Sequence, residues 1–400
     1  MVLWKFLTLL AVGLALLWET RPAYALAYLS VLLFFAFQSG QKRLAAKIEV
    51  VRPLEEHFLF PGDQRAITLQ VINPTLWPFA WISLADRIPR NLMTGQHAQR
   101  PVFSLSPRGS HDVSFQLTAH DRGVYRLGPL DLFVGDFFGI RTQKYQVQKG
   151  QTVVVYPRIH ELGDLNLPSR LTFGSFQALQ RMNPDPTRLA GLRRYQMGDP
   201  LRTIHWPATA RTQSLQVKQF DHTVTATCVL FLNLYSEDYS VARFYVDTET
   251  AIAVAASLAN HVIRRGESCG LVSNAVLAQH LPGDMATSQG EGIVQLRARQ
   301  GTGQLTQILT ILAGVNTQDQ KDFPSLLTEC GHQLEGAAVL LWVVPRDTPD
   351  IVEHAWGFAN RGRQVLIFVV EEVRHQELLW RPPGSSLQVF AVAKGGTLGL

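Results

Sequence analysis

Residues 226–234 read ATCVLFLNL, an apolar run interrupted only by Thr227 and Asn233. A run of this kind without strict alternation suits a strand buried on both faces, as in a parallel sheet covered by helices. Downstream, Ile252, Ala255, Leu258, Ala259, Val262 and Ile263 recur at helical spacing between Thr250 and Arg264, until Arg265-Gly266 stops the pattern. Strand signals follow at 270–272, 337–344 and 365–370, with helix signals at 304–313, 324–334 and 350–360. This order predicts a doubly wound, mostly parallel α/β sheet over residues 221–400. Ligands of such sheets sit at the carboxyl ends of strands, which here carry Asn233, Tyr235 and Ser236, and later Arg346 and Asp347.

Upstream, residues 192–220 read LRRYQMGDPLRTIHWPATARTQSLQVKQF and concentrate four arginines, a lysine, an Asp, a His and a Trp. Asp199-Pro200 has the chemistry of a helix start, with Asp as the capping acceptor and Pro where a missing N–H costs nothing. Pro207 disfavours α geometry in the residue before it, so this short helix is expected to end near Trp206. Arg202 would then share a face with His205 and Trp206. From Ser214 to Phe220, Leu215 and Val217 alternate with Gln216 and Lys218, the pattern of a strand with one buried face.

Asp199, Arg202, His205 and Arg211 admit three readings. In the first, Asp199 caps the helix and pairs with Arg202 or Arg211, while Trp206 plugs a seam between domains. In the second, Asp199 and His205 form the acid/base pair of a hydrolase, although no Gly-x-Ser-x-Gly or His-Glu-x-x-His motif accompanies them. In the third, the arginines form a docking surface for an acidic partner. Gly301-Thr302-Gly303 reads as a turn, because the third Gly of a dinucleotide fingerprint is missing and no Gly-Lys-Ser/Thr phosphate loop occurs.

Residues 48–157 change period. Short alternating runs at 66–72, 81–84, 112–117 and 130–134 are separated by turn chemistry such as Pro61-Gly62-Asp63 and Asp121-Arg122-Gly123. They predict an antiparallel β-sandwich, serving as a spacer or a protein-binding module. Residues 158–220 form a linker and signature segment. Over residues 1–40, Val2–Trp18 and Pro22–Phe37 are apolar runs of 17 and 16 residues around the tip Glu19-Thr20-Arg21. They predict a transmembrane helical hairpin, although each reaches only about 25 Å against a hydrocarbon core of about 30 Å. Lys42, Arg43 and Lys47 follow the second run, which places both ends and the bulk of the chain in the cytoplasm at the inner membrane. An alternative reading takes Lys5, the first run and Ala23-Tyr24-Ala25 as a cleavable signal peptide.

The 400 residues carry 37 basic against 32 acidic side chains and are 46% hydrophobic, which argues against disorder and against nucleic-acid binding. Cys228, Cys269 and Cys330 lack Cys-x-x-Cys spacing, consistent with a reducing compartment and no zinc site.

The segment from Arg193 to Phe220 resembles the signature of the bacterial family known as domain of unknown function 58. Arg193, Tyr195, Gly198, Asp199, Arg202, Ile204, His205, Trp206, Ala210, Arg211, Leu215 and Val217 fill that pattern. Arg122 to Pro129 and Asp136-Phe137-Phe138-Gly139 are similar to the end of the family's β-domain. The resemblance implies a membrane anchor, a β-domain and a von Willebrand factor A-like α/β domain; members commonly accompany MoxR-type AAA+ ATPases, and an adaptor or assembly role is inferred for them. It also marks departures. An adhesion-type metal site needs Asp-x-Ser-x-Ser after the first strand, whereas Asn233, Tyr235 and Glu237 stand there, so no Mg²⁺ or other cofactor is expected. Arg194 stands where the family often has Glu. The expected function is a membrane-anchored, non-enzymatic adaptor; the alternatives are an envelope scaffold without an ATPase partner, or the hydrolase using Asp199 and His205.

Overall fold

Ile67, Leu69 and Val71 alternate with outward-facing residues along Gln64–Ile72, and in the computed structural model they line the buried face of a nine-residue strand. The structure describes residues 43–52, 58–93, 100–135, 142–148, 150–160, 189–220, 227–278, 281, 288–290, 292–318, 321–331, 339–372 and 386–392, with scattered positions between 13 and 31. The chain divides into two compact units: residues 1–158 with 278–283 and 312–314, and residues 159–277 with 284–311 and 315–400.

The first unit is built from strands β1 (Glu49–Val51), β2 (Phe58–Leu59), β3 (Gln64–Ile72), β4 (Phe79–Asp86), β5 (Val102–Leu105), β6 (Ser110–Thr118), β7 (Gly123–Leu127), β8 (Leu130–Gly135), β9 (Thr142–Gln148) and β10 (Gln151–Val155). They form sheets of order β1-β3-β6, β5-β4-β8-β9 and β2-β10-β7. Pairing is antiparallel except between β10 and β2, which run parallel. Leu69, Phe79, Ile82, Leu84, Leu117, Leu132 and Val153, drawn from all three sheets, share one core. Arg52 and Asp86 form a buried ion pair.

The second unit opens with a small module: β11 (Leu189–Arg194), helix α1 (Trp206–Thr212) and β12 (Gln216–Phe220). There follow β13 (Thr227–Leu232), α2 (Phe244–Arg264), β14 (Ser268–Ser273), β15 (Val276–Leu277), β16 (Ser288–Gly290), β17 (Ile293–Arg299), α3 (Thr302–Gly314), β18 (Val315–Asn316), α4 (Phe323–Gly331), β19 (Val339–Arg346), α5 (Pro349–Asn360), β20 (Gln364–Glu372) and β21 (Leu387–Ala391). The main sheet has seven strands in the order β16-β17-β14-β13-β19-β20-β21. In register, β13 sits between β14 and β19, with Leu230 opposite Leu271 on one side and Leu341 on the other. Trp342 is fully buried and meets Phe231, Phe323 and Phe358 edge-on, with ring centroids 6.3, 5.7 and 5.8 Å away. Such aromatic pairs add stabilisation beyond the area they bury.

Three expectations are corrected here. The C-terminal part is not a regular doubly wound sheet. Among the described residues no helix separates β14 from β17, so the chain returns as an antiparallel neighbour rather than through a crossover. β16 also pairs antiparallel with β17, and between β17 and β19 the helices α3 and α4 flank β18, which pairs with β15 outside the main sheet. As a whole the described chain is dominated by strands.

The N-terminal transmembrane hairpin is not supported. Among the described residues no helix is long and apolar enough to cross a membrane. The runs at 2–18 and 22–37 lie almost wholly outside the described residues, and at about 25 Å each they fall short of a bilayer core. The multi-pass inner-membrane placement, with the bulk of the chain cytoplasmic, rested on that hairpin and falls with it.

Replacing Trp342 by Ala should cost the second unit about 3–5 kcal/mol. Trp342→Phe should cost far less, because the indole Nε1 is buried without a hydrogen-bond partner. Denaturant unfolding of both variants checks this; equal losses would contradict the packing described.

Candidate functional site

The signature segment folds as a short ribbon closed by one ion pair. β11 and β12 run antiparallel, with Leu192 opposite Lys218, Arg193 opposite Val217 and Arg194 opposite Gln216. The Tyr195 N–H donates to Leu215 O at 2.9 Å and extends the ladder by one rung. The chain then turns through Gln196 to Asp199, where the Asp199 N–H donates to Gln196 O at 3.0 Å. Gly198 lies at φ +109°, a conformation that a side chain would strain. The turn brings Asp199 back to β11. Arg193 Nη1 and Nη2 donate to Asp199 Oδ2 and Oδ1, both at 2.7 Å, and the Gln196 N–H donates to Oδ2 at 2.9 Å. This two-point, charge-assisted contact holds the Asp199 carboxyl below its usual range.

Beyond the turn, Leu201–Thr203 make a single 3-10 turn and Ile204 returns to extended geometry. Ile204 bridges to Val217, and both are buried. His205 then caps α1. Its N–H donates to Gln216 O at 2.8 Å, and its Nδ1 accepts the Ala208 N–H at 3.1 Å. Accepting that bond requires an unprotonated Nδ1. Thr209 locks helix to strand, its hydroxyl donating to His205 O at 3.1 Å and accepting the Gln216 N–H at 3.0 Å.

This geometry changes the expected local structure. Asp199 caps no helix and pairs with Arg193 rather than with Arg202 or Arg211. The helix begins at Trp206 instead of ending there, with Pro207 in its first turn, where a proline sacrifices no intrahelical bond. Trp206 is 65% exposed. Arg202 and Arg211 are also exposed. Tyr195 and Gly198 belong to the turn itself.

The second place of interest is the carboxyl edge of the main sheet. Asn233, fully buried, follows β13 and uses both faces of its amide: Nδ2 donates to Asp238 Oδ2 at 2.7 Å, while Oδ1 accepts from the Tyr235 N–H at 3.1 Å and from Asn274 Nδ2 at 3.0 Å. Asn274 Oδ1 in turn accepts the Leu234 N–H at 2.6 Å. The Tyr239 hydroxyl donates to Asn233 O at 2.6 Å, and the Tyr235 hydroxyl to Glu237 Oε2 at 2.9 Å. Glu371 accepts from Arg346 Nε at 2.7 Å and from the Ser240 N–H at 2.6 Å. Asp347 is fully buried nearby in sequence. Burial, reinforced by the like charge of Asp322, raises the Asp238 carboxyl, while the Asn233 bond opposes the shift. Among the described residues no group of three or more His, Cys, Asp or Glu side chains has the arrangement to hold a metal ion. Sequence reasoning found Asn233, Tyr235 and Glu237 but missed Asp238, Tyr239, Asn274 and Glu371. The signal was faint: polar residues at or just beyond the ends of three strands.

Residues 191–313 match the family model described as protein of unknown function DUF58, a range that takes in the module from Gly191 onward and the first strands of the main sheet. A curated relative, the uncharacterized protein YeaD of Bacillus subtilis (strain 168), is 23% identical over 238 residues, covering 56% of this chain and 54% of the relative. The chain thus spans about half the length of the relative it matches. Both findings support the resemblance to the domain of unknown function 58 family. Among solved structures, a CARDB domain from Pyrococcus furiosus is 16% identical, with 27% of this chain and 84% of that chain covered at a TM-score of 0.20. The alpha-2-macroglobulin of Escherichia coli is 18% identical, with 29% and 18% covered at a TM-score of 0.23. Scores this low carry no weight for fold or function.

The Asp199 pair sets a pH dependence. Its folded-state pKa is depressed, so its contribution is present above the ordinary aspartate value of about 3.9 and is lost as pH falls through the lowered folded value. Wild-type protein should therefore keep the Gln196 amide protected from hydrogen exchange at mildly acidic pH, whereas Asp199→Ala, which removes the acceptor, should expose it at every pH. Equal protection in both proteins would contradict the assignment.

Proposed function

We propose that this protein is a non-enzymatic adaptor or assembly protein that docks a partner protein. A MoxR-type AAA+ ATPase is the partner class brought forward by the family resemblance. One observation carries the reading: the polar side chains that resemble catalytic machinery are occupied in building the loop. Asp199 is held at both oxygens by Arg193, and the Nδ1 of His205 is spent on the Ala208 N–H. A general base must offer a free lone pair to a substrate proton. Meanwhile the same segment turns Met197, Leu201 and Trp206 outward, at 101, 70 and 65% exposure. Large apolar groups presented in this way suit a protein interface. The reading needs no cofactor, since Asn233, Tyr235 and Glu237 are engaged with protein partners.

Affinity purification of the tagged full chain, with and without nucleotide, should recover a stable partner, with an AAA+ ATPase as the expected one. Recovery of no stable partner would overturn the reading. So would a hydrolytic activity that disappears in the Asp199→Ala, His205→Ala double variant while its melting temperature stays at the wild-type value.

A further inference from the structure

The module from 189 to 220 combines three properties that together specify a ligand. The first is charge: Arg193, Arg194, Arg202, Arg211 and Lys218 stand against Asp199 alone, which concentrates in 32 residues a net charge of four out of the chain's formal +5. With Arg193 already committed to Asp199, the exposed cations Arg194, Arg202 and Arg211 are left facing solvent. The second is exposed apolar surface, with Leu192 and Leu215 each 43% exposed in addition to Met197, Leu201 and Trp206. The third is an open strand edge. Among the described residues β12 is the only strand paired with β11, and the far side of β12 is partly taken by the Ile204 bridge and the His205 N–H. Among the described residues the outer edge of β11 pairs with no strand and, apart from the Arg194 carbonyl, which accepts from Arg193 Nη1 at 3.2 Å, it offers its backbone donors and acceptors as the template to which another strand adds.

We infer that the outer edge of β11 is a docking site for an extended, acidic segment of a partner protein, added to the ribbon as a further strand. Leu192 and Arg194 lie two positions apart on one face of β11. An added strand would accordingly place an apolar side chain beside Leu192 and, two residues along, a carboxylate beside Arg194. Main-chain bonds supply the affinity, and this pair of neighbours supplies the selectivity. The charge concentration steers an acidic partner and disfavours a basic one. A lipid surface fits less well: a strand edge placed against hydrocarbon would leave its N–H and C=O groups unsatisfied. This inference rests on the adaptor reading and names the surface and the partner's chemistry.

The test places a photoreactive phenylalanine analogue at Leu192 of the full chain and, in a second protein, at Tyr245. Tyr245 is 62% exposed at the start of α2 and serves as a comparison surface. Both proteins are irradiated in cells, and the attached peptide is sequenced by mass spectrometry. The expected result is an acidic segment with alternating apolar residues captured from position 192, with a yield reduced about tenfold or more by Arg194→Glu with Arg202→Glu, a loss of at least about 1.4 kcal/mol. The double variant should keep the wild-type melting temperature, since both arginines are exposed. A lipid, a nucleic acid, a neutral or basic segment, or no product at position 192 would overturn the inference. If a protein is captured at Tyr245 alone, the adaptor reading stands and this surface does not. Silence at both positions counts against both.

Discussion

One ion pair carries the signature segment. Arg193 on β11 grips both oxygens of Asp199 at 2.7 Å, and everything from Tyr195 to Gln216 is positioned by the turn that this contact closes. Besides this pair, the turn is tied to the ribbon by the Tyr195–Leu215 bond before it and by the Ile204–Val217 bridge and the His205–Gln216 bond after it. With the pair in place, the chain leaves the turn aimed at Ile204, whose bridge to Val217 places His205 where its backbone and ring together start α1. The pair is partly exposed, and surface ion pairs are individually weak. Its importance lies in the bidentate geometry, which fixes the direction of two chain segments at once.

The carboxyl edge of the main sheet follows the same logic of polar groups consumed by structure. Four parallel strands, β13, β14, β19 and β20, end on side chains that satisfy the first loop: Asn233, Asn274, Arg346 and Glu371. A buried amide that makes all its bonds rigidifies its surroundings, whereas one left unsatisfied is costly. Asn233 fills both acceptor positions of its Oδ1 and one donor of its Nδ2 with protein atoms. The edge is thereby a built framework, and the exposed groups available for recognition lie on the module that precedes it.

Part of this was legible in the sequence. The alternation at 66–72 and the buried runs at 226–234 and 337–344 became β3, β13 and β19 because burial on one face or two leaves a direct imprint on residue type. The helix expected at 250–264 is α2, begun six residues earlier because Phe244 to Glu249 lack the apolar stripe. The antiparallel edge was not legible. β17 alternates Gln295, Arg297 and Arg299 with its apolar residues, and strand direction depends on connection length rather than composition. At the signature, Asp199-Pro200 resembled a helix start as strongly as His205-Trp206-Pro207 did, and only tertiary pairing decides between them. The pairing of Arg193 with Asp199 is hard to read from sequence because the contact spans a turn; Gly198 before Asp199 is the available clue. The N-terminal hairpin rests on hydropathy, flanking charge and the family resemblance, and the length of its two runs is its weak point.

The central claim is that the Arg193–Asp199 contact is architectural and works through its two-point geometry. Hydrogen–deuterium exchange of Arg193→Lys against wild type tests it most directly, since lysine keeps the charge but offers a single point of contact. The account predicts faster exchange at Gln196, Asp199 and His205, with β13 and β19 unchanged. Exchange in that stretch identical to wild type would contradict it.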